Sequence, residues 1–194
     1  MILVVATGNP GKLVELRELL GDLDLELRSL ADLGLPSPEE TGATFAENAE
    51  LKARAAAAAA KAWALGDDSG LCVVVLGGGP GLHSARYAAT DEERRARLLR
   101  ELAGVPPERR GAHFFCAAAL CAPDGEIFRA EGRVDGSIAT APRGTNGFGY
   151  DPLFLPVETP GRTLAELPSD EKNRLSHRGR ALDGLRPTLE ALAR

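Results

Sequence analysis

Ten of the twenty residues from 44 to 63 are alanine, six of them in an unbroken run at 55–60. Alanine is the strongest helix former because its side chain loses no rotamer freedom in a helix. The segment opens on Thr44-Phe45-Ala46-Glu47, a capping box that satisfies the first orphan N–H groups. The sequence therefore predicts one long helix from Thr44 to about Trp63. Methyl groups bury little area each, so such a helix adds to a core only by close approach to a sheet or another helix. That need for close packing limits the architectures open to the chain.

The flanking segments say which architecture. Residues 2–6 read as a short strand buried on both faces. Asn9 and Pro10 then supply an N-cap and a first helical position for a helix to about Leu20, with Leu13, Leu16, Leu19 and Leu20 as its apolar stripe. Residues 25–30 alternate like a second strand. Thr90-Asp91-Glu92-Glu93 is another capping box, opening a helix to about Ala103. Residues 113–121 form a buried strand, Pro123-Asp124-Gly125 a hairpin turn, and residues 126–138 the second arm. A short strand at 153–155 precedes a helical remainder, interrupted near 176–179. Helices alternating with strands early, and a hairpin later, predict an α/β fold on a mixed sheet.

At 194 residues the chain fits a single domain. A net charge of −5 argues against a nucleic-acid or anionic-membrane surface. No apolar run approaches a membrane span, and residues 1–5 lack the basic region of a signal peptide. Cys72, Cys116 and Cys121 lie in apolar stretches without C-x-x-C spacing, as reduced thiols of a cytoplasmic protein do. His83, His113 and His177 are too far apart in sequence to suggest a zinc site.

Two segments carry chemistry at first sight. Asp67-Asp68-Ser69-Gly70 places two acids after apolar residues, at the expected end of a strand. Strand ends are where α/β sheets bind ligands, and adjacent strand residues face opposite ways, so one acid is expected in the site and the other as a brace. Asp68-Ser69-Gly70 also fits the aspartic-protease pattern, but those enzymes need two such aspartates, and an alanine-rich helix does not belong to them. In Thr7-Gly8-Asn9-Pro10-Gly11-Lys12, a glycine-containing turn leads from a buried strand into a helix N-terminus, an arrangement that favours anions. It is not a Walker loop, because Ala6 and Leu13 stand where glycine and Ser/Thr are required.

Only four of the 23 basic residues are lysines: Lys12, Lys52, Lys61 and Lys172. A lysine kept in so arginine-rich a chain suggests a need for a compact ammonium, as on phosphate. Lys52 lies one turn after Asn48 and shares its helix face. Lys172 follows Asp170 and Glu171 and precedes Ser176-His177-Arg178-Gly179. Phe148 and Tyr150 sit in a glycine-rich loop, where a planar base would cover an exposed ring.

The ordered set resembles the inosine triphosphate pyrophosphatase (Ham1) family. The matching residues are Thr7-Gly8-Asn9-x-x-Lys12, Glu39-Glu40-Thr41-Gly42, Phe45-x-Glu47-Asn48-Ala49-x-x-Lys52-Ala53, Asp67-Asp68-Ser69-Gly70-Leu71 and Pro80-Gly81-x-x-Ser84-Ala85-Arg86-Tyr87. Gly147-Phe148-Gly149-Tyr150-Asp151-Pro152, Glu171-Lys172-Asn173 and Ser176-His177-Arg178-Gly179 complete it. The resemblance implies a long, bent mixed sheet with flanking helices, forming two lobes around a nucleotide cleft. It also implies a homodimer that hydrolyses ITP, dITP and XTP to the monophosphate and pyrophosphate with Mg²⁺. On the family's pattern, Thr7, Gly8, Asn9, Pro10, Gly11 and Lys12 hold the triphosphate, Lys52 adds charge across the cleft, and Ser69 is a further substrate-binding residue. Asp68 positions the attacking water and ligates Mg²⁺ with Glu39, or less favourably Glu40. Phe148, Gly149, Tyr150 and Asp151 form the base loop, Lys172 binds nearby, and His177 and Arg178 donate to the purine O6.

Overall fold

A computed structural model describes all 194 residues, Met1–Arg194. Strand β1 (Ile2–Val5) is buried from Leu3 onward and ends at a turn that Asn9 closes. The Asn9 side chain accepts hydrogen bonds from the N–H groups of Gly11 and Lys12, and Pro10 takes the first position of α1 (Pro10–Leu19), as predicted. Strand β2 (Glu26–Ser29) follows, parallel to β1. Helix α2 (Phe45–Ala60) starts where Thr44 accepts from the Glu47 N–H. Strand β3 (Trp63–Val73) then pairs in parallel with the other edge of β1, Val5 opposite Leu65.

Helix α3 (Asp91–Glu101) carries the complete Thr90/Glu93 capping box. Strands β4 (Gly111–Cys121) and β5 (Ile127–Ile138) form the expected hairpin, and β6 (Phe154–Pro156) runs antiparallel to β5. Helices α4 (Ser169–Leu175) and α5 (His177–Leu192) are separated only by Ser176, a shorter break than the sequence suggested. The sheet has the order β2-β1-β3-β4-β5-β6, so it is mixed, and the α/β class holds.

The chain divides into two compact units. The first comprises Met1–Asp68, Cys116–Gly132 and Arg178–Arg194. Its core joins Leu3 and Val5 to Leu16 of α1 and Leu20 just after it, Leu65, Leu120, and Leu182, Leu185 and Leu189 of α5. From β1 the chain moves to β2 on one side and later returns to β3 on the other, so β1 lies at the switch point of a parallel set. Ligands of such sheets bind at the carboxyl ends of the strands on either side of that point. Here β1 ends at the 7–9 turn, and Asp67 follows the stretch of β3, Trp63–Leu65, that pairs with β1.

The demand made by the alanine helix is met at Gly66. A Cβ there would lie 2.4 Å from the Ala49 carbonyl oxygen and 2.7 Å from the Ala53 nitrogen. Only glycine admits α2 so close to β3, and Ala49, Ala53, Ala56 and Ala57 are almost wholly buried on the facing side.

The second unit comprises Ser69–Phe115 and Arg133–His177. Its core gathers Leu71, Val73, Leu98, Leu102, Phe114, Val134, Ile138, Tyr150, Leu153 and Phe154. Phe114 and Phe154 pack with their rings tilted 55° and centroids 4.7 Å apart.

Candidate active site

In the first unit, close packing at Gly66 brings the Asn48–Lys52 face of α2 onto the acids of β3. Asp67 and Asp68 are not at the strand's end but in its middle, because β3 continues to Val73. Alternation sends them to opposite faces, and each meets its own cations. Asp68, 7% exposed, accepts from Asn48 Nδ2 at 3.0 Å and from Lys52 Nζ at 3.4 Å. Lys52 Nζ also donates to Glu40 Oε1 at 2.9 Å, so Glu40, not Glu39, shares this lysine with Asp68. The Gly42 N–H donates to Asn48 Oδ1 at 2.8 Å and ties the 40–42 segment to α2.

Asp67 faces the other way, 2.9 Å from Lys12 Nζ and 3.2 Å from Arg178. Arg178, 1% exposed, also donates to Glu15. Burial alone would raise the Asp67 pKa, but Lys12, Arg178 and Lys52 outweigh it and hold the carboxyl well below the usual range. Burial likewise disfavours the ammonium of Lys52, yet Asp67, Asp68 and Glu40 prevail and raise its pKa. At neutral pH Asp67 and Lys52 therefore both carry full charge.

The cluster joins four carboxylates (Glu15, Glu40, Asp67, Asp68) to three cationic side chains (Lys12, Lys52, Arg178), an excess of one negative charge. A polyanion approaching it needs a further cation. The donors fit Mg²⁺: Asp68 and Glu40 offer hard oxygens at a place that already takes positive charge from Lys52. Asp67 Oδ1 is buried without a hydrogen-bond partner.

At the 7–12 turn the anion site is narrower than the sequence suggested. Asn9 Oδ1 takes the Gly11 and Lys12 N–H groups, at 2.9 and 3.3 Å, and Thr7 Oγ1 takes the Asn9 N–H at 3.1 Å. Gly8 and Pro10 are exposed, Gly11 half-buried, and the Lys12 ammonium is directed to Asp67.

In the second unit the base-loop residues gather around Asp151. Its Oδ2 accepts from the Phe148 N–H at 2.9 Å and pairs with Lys172 Nζ at 2.8 Å. The Lys172 ammonium also stands 5.4 Å over the Phe148 ring. His177 stacks on Phe114, centroids 4.7 Å apart and planes 7° from parallel. Ser69 is half-buried in β3.

Two assignments change. Tyr150 is 4% exposed and its hydroxyl donates to the Ser84 carbonyl at 2.9 Å, so it anchors the loop rather than offering a ring to a ligand. Burial drives its hydroxyl pKa well above the ordinary value. Arg178 spends Nε, Nη1 and Nη2 on Asp67 and Glu15, so its guanidinium braces the carboxylates instead of presenting a donor for O6. Glu15 escaped the sequence reading, because nothing local links it to a residue 163 positions away. In the sequence Asn48 is a face-mate of Lys52 and part of the Ham1 pattern; its hold on Asp68 depends on the strand's placement.

A model of the Ham1 family matches residues 3–188. The chain belongs to the Ham1 family. The dITP/XTP pyrophosphatase of Bacillus subtilis is 47% identical over 192 residues, covering 97% of this chain and 96% of that protein. The dITP/XTP pyrophosphatase of Thermus thermophilus is 52% identical over 187 residues, covering 95% and 90%. Among solved structures, a HAM1 protein from Coxiella burnetii superposes with a TM-score of 0.85 at 43% identity, over 98% of this chain and 99% of that one. In this Ham1 protein, the carboxylate–lysine cluster of the first unit gathers Lys12, Glu40, Lys52, Asp68 and Arg178, and the second unit gathers Phe148, Asp151 and Lys172. No helix is long and apolar enough to cross a membrane.

Proposed function

We propose that the protein hydrolyses dITP, ITP and XTP to the nucleoside monophosphate and pyrophosphate with Mg²⁺, removing deaminated purines from the nucleotide pool. The observation that carries the proposal is Asp68. It is a nearly buried carboxylate held by Asn48 and Lys52 beside Glu40, in a chain related over almost its whole length to proteins named dITP/XTP pyrophosphatase.

Asp68 accepts a hydrogen bond from the attacking water and aims its oxygen at the α-phosphorus. Asn48 and Lys52 fix the carboxylate, so this positioning needs little reorganisation at the moment of reaction. The new bond joins water oxygen to the α-phosphorus; the bond from that phosphorus to the bridging oxygen breaks, and pyrophosphate leaves. Lys12 and Lys52 offset the charge that builds on the leaving group. Thr7 and Gly8 lie beside Lys12 at the same turn and contact phosphate oxygens. Asp68 and Glu40 would hold Mg²⁺, which would supply Lewis-acid stabilisation of the triphosphate charge.

Phe148 stacks on the purine, while Lys172 and His177 face its edge. A donor set for O6 leaves a polar group unpaired when adenine brings an amino group instead, which costs about 1–3 kcal/mol. A homodimeric, cytoplasmic enzyme is part of the same reading.

A panel of dITP, XTP, ATP, dTTP and UTP with Mg²⁺ tests it. The expected result is preferential turnover of dITP and XTP. Faster turnover of dTTP or UTP overturns the substrate assignment. Asp68→Asn should lower kcat by about a hundredfold or more with the fold retained; near-normal kcat would move the role elsewhere.

A further inference from the structure

Helix α3 has no part in the reaction described above, yet it grips the loop that carries Phe148. Asp91 and Arg95 stand one turn apart on α3 and so share a face. Between them they hold both polar groups of a single residue. The Gly149 N–H donates to Asp91 Oδ2 at 2.8 Å, and the Gly149 carbonyl accepts from Arg95 Nη1 at 2.7 Å. Gly149 has φ +60°, a region that costs a residue with a Cβ strain but that glycine visits readily. Glycine's freedom would let the loop take other conformations, and the clasp removes that freedom at one point.

The neighbours are held as well. The Phe148 N–H donates to Asp151, and the Tyr150 hydroxyl to the Ser84 carbonyl. Three successive residues are thus fixed by four separate groups. Asp91 is itself anchored: its Oδ1 accepts from Arg94 Nη1 at 2.6 Å, and Arg94 Nε donates to the Ala88 carbonyl at 2.9 Å. Helix capping does not account for the pair, since the Thr90/Glu93 box already closes the N-terminus of α3. Both bonds to Gly149 have a charged partner, the stronger class of hydrogen bond.

We propose that Asp91 and Arg95 are specificity-positioning residues, which set the Phe148 ring for the purine by clasping the peptide groups of Gly149. The inference rests on the reading of Phe148 as the base-stacking ring. Neither residue touches substrate. Their effect is on where the ring stands before the base arrives, so it falls on KM and on the choice between bases, not on the chemical step.

Steady-state kinetics of the full chain with dITP and with dATP, plus thermal unfolding, test the proposal on Arg95→Ala, Asp91→Ala and Arg95→Lys. Losing one charged hydrogen bond to the loop should raise KM for dITP about fivefold to tenfold. The ratio of kcat/KM for dITP over dATP should fall with it, while kcat stays within about threefold. Arg95→Lys, which keeps a charged donor, should recover most of the ratio. Unchanged KM and ratio in Arg95→Ala overturn the proposal. So does an equal loss for both nucleotides accompanied by a lower Tm, the mark of a merely structural contact. Should Asp91→Ala not fold, Arg95→Ala decides alone. If the unmodified protein itself shows no preference for dITP over dATP, the functional reading fails and the inference goes with it. Preference in the unmodified protein with silent variants sinks the inference alone.

Discussion

Replacing Gly66 with alanine puts a methyl group where α2 already stands. The new Cβ would be 2.4 Å from the Ala49 carbonyl oxygen, and ordinary contact begins at 3.4 Å, so something must yield by about 1 Å. Both nearest obstacles are helix backbone, which cannot rotate away. A retreat of α2 by that distance would stretch the Asn48–Asp68 hydrogen bond from 3.0 Å toward 4 Å, beyond bonding range, and the Lys52–Asp68 contact from 3.4 Å further still. Overpacking of this kind costs about 1–3 kcal/mol, or roughly 2–12 °C in Tm for a chain of this size. The effect on turnover should exceed what stability predicts, because misplacing a catalytic carboxylate by about 1 Å costs around a hundredfold. The assay pairs thermal unfolding with kcat for dITP at a temperature where the variant is fully folded. A second substitution, Ala53→Gly, should not rescue it, since the Ala49 carbonyl still blocks the site. Gly66→Ala with unchanged Tm and kcat would refute the claim that this contact seats the cluster.

Asp67 is the anion of Lys12 and Arg178, and Asp67→Asn should cost about 3–5 kcal/mol at pH 7 by leaving buried cations unpaired. Its folded pKa lies below the ordinary value, so this stabilisation is full above about pH 4 and is lost as pH falls through the folded pKa. Urea titrations from pH 7 downward should show the two proteins converging, and a constant gap into strong acid would contradict the pairing. Lys61 caps α2 with φ +52°, so Lys61→Gly should raise stability by roughly 1 kcal/mol, seen as a higher Tm with unchanged kinetics. Lys61→Arg should be silent, whereas Lys12→Arg should lower kcat/KM, because a guanidinium does not fit the nearly buried place 2.9 Å from Asp67. Equal behaviour of the two arginine variants would remove the case for a lysine at position 12.

What the sequence revealed was chemistry carried by near neighbours. Asn9 before Pro10, and Thr44 with Glu47, mark helix starts because a cap needs only residues two or three apart. Asn48 and Lys52 share a face for the same reason. The scarcity of lysine pointed to Lys12, Lys52 and Lys172, each of which meets a carboxylate. Tertiary pairing stayed hidden. The strand holding Asp67 and Asp68 seemed to end there, since adjacent acids and a glycine read as a turn. Its neighbours in the sheet carry it on to Val73, where ladder bonds outweigh local preference. From the sequence, Arg178 beside His177 reads as a donor for a ligand. Only the fold brings Glu15 and Asp67 to it and so permits its complete burial. Tyr150 stood beside Phe148 in the same glycine-rich loop, and no local signal says which ring turns inward.

The central claim is that the carboxylate–lysine cluster directs water to the α-phosphorus. Hydrolysis of dITP with Mg²⁺ in ¹⁸O-labelled water, followed by mass spectrometry of the products, tests it most directly. The account predicts dIMP carrying one labelled oxygen together with unlabelled pyrophosphate. Label in pyrophosphate, or release of dIDP and orthophosphate, would contradict it.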